Sequence, residues 1–184
     1  MTSLASPGQL RASIFRWALF TVPLVMLLGF LSGMLGGDPN SAWFQALTKP
    51  AIFPPPSAFG VVWPILYLLM GISLAMVCAA WGARGRVAAL IVFAVQFLLN
   101  LAWSPMFFTA HEIKGALVLI GVLDVLVIVT IALFWRVRKL AAVLLLPYLA
   151  WILFATLLNW QFLQLNPEAN YAEPAPENVQ RIEL

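Results

Sequence analysis

Charge is what this chain has least of. Asp, Glu, Lys and Arg make up 9% of its 184 residues, against 63% for the hydrophobic types. A soluble domain carries roughly 25% charged residues, so a body wetted on all sides is excluded. The net charge of +3 is small, and no nucleic-acid partner is expected. Cysteine occurs once, Cys78, within an apolar stretch, which excludes an intramolecular disulfide. Histidine also occurs once. His111 has no Cys or acidic residue at metal-ligand spacing, so no metal site is expected. A nucleotide-cradling glycine loop, a nucleophile–base pair and a zinc pattern are all missing.

What fills the chain instead is five nearly charge-free stretches, at 17–37, 51–83, 87–110, 113–135 and 140–164. Each reaches the roughly 20 residues that a helix needs to cross a bilayer's hydrocarbon core. Lipid offers the backbone no hydrogen bonds, so helices are the default spanning structure. The charges gather between the stretches, at Arg84 and Arg86, at His111, Glu112 and Lys114, and at Arg136, Arg138 and Lys139. The expected fold is all-α, a polytopic membrane bundle of five helices at about 14–35, 57–81, 87–108, 113–135 and 140–164. An odd number of spans precludes an even inverted duplication. The first apolar run follows Arg11 and Arg16 but exceeds the roughly 7–15 residues of a signal peptide's core, and is read as a retained first helix. Call the side bearing the N-terminus side A. Its segments carry Arg11, Arg16, Arg84, Arg86, Arg136, Arg138 and Lys139, whereas side B has Lys49, Lys114 and Arg181. In an energised inner membrane the positive-inside rule makes the N-terminus cytoplasmic; whether the membrane is inner or outer is left open.

Three segments lie outside or between these helices. Residues 1–13 form a polar lead. Residues 36–56 form the one long loop: Asp38-Pro39-Asn40-Ser41 can cap a short helix carrying Trp43, Phe44 and Leu47, and Pro54-Pro55-Pro56 gives a stiff, extended approach to the second span. A stiff loop rich in aromatics reads as a lid. Residues 167–184 form an acidic tail with the composition of a disordered segment. In the first span, Gly29 and Gly33 make a GxxxG, continued by Gly37, that permits close helix packing.

Inside the spans, polar and aromatic residues share helical faces. Trp63, Tyr67 and Gly71 stand at i, i+4, i+8. Gln96, Asn100, Trp103 and Phe107 form one stripe, and Tyr148, Trp151, Ala155 and Asn159 another with Thr156 beside it. A buried amide is costly in hydrocarbon unless bonded, so Gln96, Asn100 and Asn159 should point inward, as should Asp124, the one carboxylate within a span. At about 1.5 Å per residue, Trp63, Asn100 and Asn159 lie roughly 6–12 Å from side B, beneath the long loop. Ring faces and a few amides under a lid suit a flat, largely apolar ligand. The same amides also serve to bond helix to helix, and both readings stay open. Trp17, Trp81, Trp135 and Trp160 sit near helix ends, as an interfacial belt would.

Three segments of this sequence resemble signatures of the TspO/MBR family, the translocator proteins. Lys49-Pro50, Pro54-Pro55, Phe59-Gly60-Val61-Val62-Trp63 and Leu66-Tyr67-Leu68-Leu69-Met70 are similar to its first loop and second helix. The run from Gln96 through Asn100, Trp103-Ser104-Pro105 and Phe107-Phe108 is similar to its third helix. Pro147-Tyr148-Leu149-Ala150-Trp151, Ala155-Thr156 and Leu158-Asn159-Trp160 resemble its fifth. The resemblance covers roughly residues 18–166. It implies a five-helix bundle, often a homodimer among membrane lipids, that binds porphyrins and other tetrapyrroles as ligands rather than cofactors, and in many members sterol-like lipids and synthetic benzodiazepine-type ligands. The implied pocket is Trp63, Asn100, Trp103, Phe107, Trp151 and Ala155; Tyr67 and Asn159, on the same helical stripes, complete the candidate ligand-binding set. Some bacterial members degrade porphyrin with light and oxygen, which would give Trp63 and Trp151 a catalytic part; a regulatory role beside another membrane protein is a further alternative. Two departures stand out. Ala51-Ile52-Phe53 replaces a tryptophan-bearing loop segment, and Leu158-Asn159-Trp160-Gln161-Phe162 lacks the Tyr followed by Arg or Lys of the animal sterol motif.

Overall fold

The computed structural model describes residues 7–37 and 40–169; Asp38, Pro39 and most of the acidic tail lie outside the described residues. Five helices are long and apolar enough to cross a membrane: Gly8–Leu35, Pro56–Cys78, Arg86–Thr109, Ile113–Val137 and Lys139–Leu165. In element terms these are α1 (Pro7–Leu35), α3 (Pro56–Cys78), α4 (Arg86–Ser104), α5 (Ile113–Val137) and the pair α6 (Lys139–Leu144) and α7 (Leu146–Leu165). The short α2 (Ala42–Ala46) sits in the first loop. The chain is all-α over the described residues, an integral bundle whose outer apolar faces suit lipid.

The helix bounds have local causes. α1 starts at Pro7, a residue pre-set for the first helical turn, so much of the segment expected as a polar lead is helical. α3 ends at Cys78, earlier than the composition led us to expect, because Gly82 and Gly85 take positive φ (74° and 80°) and turn the chain. Arg86 completes that end: its Nε and Nη2 donate to the Val77 and Cys78 carbonyls at 3.1 and 2.8 Å, supplying donors for carbonyls left open at a helix C-terminus. Pro105 has no N–H to give Leu101, and α4 widens there into a π-helical turn, Pro105–Thr109. The freed Leu101 carbonyl accepts from Ser32 Oγ of α1 at 2.7 Å. The fifth span, expected as one helix, breaks at Leu145 ahead of Pro147. There the Leu145 N–H turns to Ala142, and the Ala141 carbonyl accepts from Ser73 Oγ of α3 at 2.7 Å.

Packing closes the spans in the ring order first, second, fifth, fourth, third. α1 lies along α3, α4 along α5, and α5 along both α6 and α7, while α3 and α4 touch little although consecutive. α3 packs well on α6 but scarcely on α7, so the second and fifth spans part toward side B. The glycines divide by use. A Cβ at Gly29 would collide with the Tyr67 ring, and one at Gly71 would stand 2.7 Å from the Val22 Cα. A Cβ at Gly33 would meet nothing, while one at Gly37 would stand 2.6 Å from the Phe108 Cβ, so the expected pattern works at Gly29 and Gly37 and its middle glycine faces outward. The α1–α3 seam is also sewn by Thr21 Oγ1, which lies 2.8 Å from the Gly71 carbonyl.

Gly71→Ala should therefore force α1 from α3 and lower stability by about 1–3 kcal/mol, the usual cost of overpacking. Gly33→Ala is expected to be neutral or slightly stabilising, since alanine is the better helix former. Thermal unfolding of the two variants in detergent micelles checks this; equal melting points would mean that the α1–α3 seam yields freely.

Candidate functional site

Two bonded sets of side chains join the spans, one between α3 and α4 and one among α4, α5 and α7. In one, Trp63 stacks on Tyr67 with ring centroids 5.2 Å apart, and the Tyr67 hydroxyl donates to Asn100 Oδ1 at 3.3 Å. In the other, Trp103 Nε1 donates to Asn159 Oδ1 at 3.2 Å, and Asn159 Nδ2 donates to the Ile113 carbonyl at 2.9 Å. Asn159 thus ties α4, α5 and α7 together, with both ends of its amide engaged between helices. Trp103 stacks on Phe107 at 5.1 Å and packs against both apolar clusters of the bundle. Trp151 reaches across to α3, its ring edge-on to Phe59 at 5.7 Å, where the second and fifth spans part. Ala155 is half-buried against the main core. Phe107 belongs with the loop: it is 2% exposed and touches the rings of Trp43, Phe44, Phe108 and Phe162.

The first loop is folded down on this floor. Ser41 caps α2 by accepting from the Phe44 N–H at 3.3 Å, and Trp43, Phe44 and Leu47 are buried. Phe53, in the segment that replaces a tryptophan-bearing one, contacts the rings of Phe44, Phe59 and Phe162. A reciprocal pair bolts the loop to the end of α7: Thr48 N–H donates to Asn166 Oδ1 at 2.8 Å, and Asn166 Nδ2 donates to the Thr48 carbonyl at 3.0 Å. His111 stacks on Trp43 with centroids 4.3 Å apart and planes at 19°, and holds a positive φ of 56°. Neither Asn166 nor His111 was singled out for the site from sequence. Asn166 precedes a proline and reads as a helix stop, and only the loop's return across the bundle gives it a partner.

Deeper in the bundle lie two polar pairs. The Tyr148 hydroxyl, wholly buried, donates to Gln96 Oε1 at 3.1 Å. Thr156 Oγ1 stands 2.8 Å from Asp124 Oδ2 and 2.9 Å from the Ile152 carbonyl. One hydroxyl proton faces two acceptors, and Asp124 Oδ1 is buried with no partner among the described residues. The Thr156 hydroxyl donates to Asp124 Oδ2 across the α5–α7 seam.

Comparison with known proteins follows the same lines. The model of the TspO/MBR family matches residues 21–165. The chain belongs to the TspO/MBR family. A tryptophan-rich protein TspO of Chlorobaculum tepidum is 38% identical over 147 residues, 79% of this chain and 93% of the relative. The translocator protein of Sus scrofa is 36% identical over 134 residues, 72% and 79% of the two chains. A tryptophan-rich sensory protein of Cereibacter sphaeroides is 36% identical over 130 residues, 69% and 80%. As a TspO/MBR member with five apolar spans, the protein is a multi-pass integral membrane protein. The matched region takes in all eight candidate residues and the first loop.

Asp124→Asn keeps an oxygen that can accept from the Thr156 hydroxyl, so it should melt close to the native protein. Thr156→Val strands the carboxyl and should cost about 1 kcal/mol, within the range for hydrogen bonds between membrane helices. Melting curves in micelles at neutral pH decide. A large loss from Asp124→Asn would show that the charged form is the one built in.

Proposed function

We propose that this protein binds a tetrapyrrole, such as protoporphyrin, between the second and fifth spans beneath the first loop, as a membrane receptor or carrier. The observation that carries the reading is the aromatic loop clasped by Asn166 onto Phe107 and Phe162 beside Trp103, at the end of the bundle where α3 and α7 scarcely touch and Phe59 meets Trp151. The indoles of Trp63, Trp103 and Trp151 supply flat, polarisable faces for a macrocycle. Asn100 supplies a polar contact once Tyr67 gives it up, and the exchange of one hydrogen bond for another costs little. Names of relatives, translocator protein and tryptophan-rich sensory protein, fit movement or detection of a small molecule. In an energised inner membrane, the positive-inside rule puts side A in the cytoplasm and the loop on the opposite side.

Protoporphyrin should quench tryptophan fluorescence saturably, and Trp63→Phe with Trp151→Phe should weaken binding more than Trp17→Phe with Trp135→Phe. Asn100→Leu should weaken it about fivefold to thirtyfold if one buried hydrogen bond is lost. Equal effects from the two tryptophan pairs would reduce the quenching to partition into the micelle. Failure of porphyrin to raise the melting point would favour a regulatory role, and product formed only with light and oxygen would turn the binding site into a catalytic one.

The clasp makes its own prediction. Asn166→Ala removes both bonds to Thr48, so exchange of the Thr48 amide should quicken while the spans stay protected. Porphyrin should then both enter and leave faster, as measured by stopped-flow fluorescence. Unchanged exchange at Thr48 would mean that the buried rings alone hold the loop.

A further inference from the structure

At the opposite end of the bundle, Ser13, Arg16, Trp17, Phe20 and Trp81 line an open recess of about 300 Å³ between α1 and the turn after α3. We propose that this recess binds the headgroup of an anionic phospholipid, with Arg16 holding the phosphate.

Three observations converge. The first is charge. Side A carries Arg11, Arg16, Arg84, Arg86, Arg136, Arg138 and Lys139, whereas none of the seven acidic residues belongs to its segments: Asp38 and Glu112 lie in side-B loops, Asp124 within a span, and Glu168, Glu173, Glu177 and Glu183 after the last helix. The rim is positive with no internal counter-charge, and such rims draw acidic headgroups. The second is that its cations are not alike. Arg86 is committed to the Val77 and Cys78 carbonyls and lies over the Trp81 ring, 4.3 Å from its centroid. Lys139 lies over Trp135. Arg16 is exposed and, like Arg11, Arg84, Arg136 and Arg138, engages no acceptor among the described residues, but of the side-A cations it alone lines the recess. A guanidinium fork suits phosphate oxygens in pairs.

The third is the shape around it. Trp17 and Trp81 stand 6.4 Å apart at 44° and wall the recess with indoles, the ring type favoured at headgroup depth. Below them Phe20, Leu24, Leu27 and Leu31 form an exposed apolar track along α1, spaced to lie on one helical face. A phosphate held by Arg16 would thus have its acyl chain on a prepared surface. A soluble anion would gain nothing from that track, which is why a lipid is the assigned occupant.

Native mass spectrometry of the full chain in micelles tests this with phosphatidylglycerol and phosphatidylcholine of matched chains. The native protein should take its first phosphatidylglycerol more tightly than its first phosphatidylcholine. Arg16→Gln should weaken that first site about fivefold, the effect of one cation near an anionic headgroup. Arg136→Gln removes the same charge elsewhere on the rim and should change it less than twofold. Should Arg16→Gln not fold, Trp81→Ala, at an indole 70% exposed, must give the loss instead. Equal losses from the two arginine variants would reduce the attraction to a diffuse rim charge and overturn the site. So would equal affinity for the two lipids, and inorganic phosphate that displaces the lipid would reassign the recess to a soluble anion.

Discussion

A hydrocarbon layer offers a peptide group no partner, so each carbonyl released by a proline, a break or a helix end must find a donor inside the protein. This constraint fixes much of the bundle. Pro105 releases Leu101, and Ser32 comes from α1 to meet it. The break at Leu145 leaves Ala141 open, and Ser73 comes from α3. α3 stops at Cys78, and Arg86 reaches back to its last carbonyls. Each repair joins different helices or a helix to its connector, so the defects in regular structure are also where the tertiary arrangement is pinned.

Those pins set the geometry of the lid end. Ser73 and Ala141 hold the second span to the lower fifth span, and the break at Leu145 follows just above. From there α7 takes its own direction and leaves α3. At this end Phe59 of α3 meets Trp151 of α7, and Trp63 stacks on Tyr67 one turn along α3. Asn159 meanwhile locks α7 to α4 and α5. One wall of the proposed site is therefore bonded fast, while the other is held mainly by ring contacts. Ring contacts are weakly directional, about 0.5–1.5 kcal/mol beyond their buried area, and can rearrange without stranding a polar group. Such a seam can admit a flat ligand without dismantling the fold.

The two ends of the bundle divide their chemistry. Side B gathers the lid, with its buried rings and one reciprocal amide clasp. Side A gathers cations, of which Arg86 caps a helix and Arg16 lines an open recess. Neither end needs a second domain, because each builds its surface from residues that also finish helices.

Span number, the all-α class and the family were legible in the sequence, since apolar length and charge-bearing turns are local properties that lipid enforces directly. The stripes carrying Trp63, Asn100, Trp103 and Asn159 were legible too, because helical periodicity puts such residues on one face. What the sequence could not decide was partnership. Gly29 and Gly33 look alike in a GxxxG, yet one meets Tyr67 and the other meets nothing, because only the crossing of α1 over α3 says which face is covered. Asn100 and Asn159 look alike as buried amides, yet Asn159 spends both ends on helices and Asn100 bonds the Tyr67 hydroxyl on α3. The union of Asn166 with Thr48 joins residues 118 positions apart. Local chemistry determines which segments become helices; which donor meets which acceptor depends on helix crossings that no local pattern encodes.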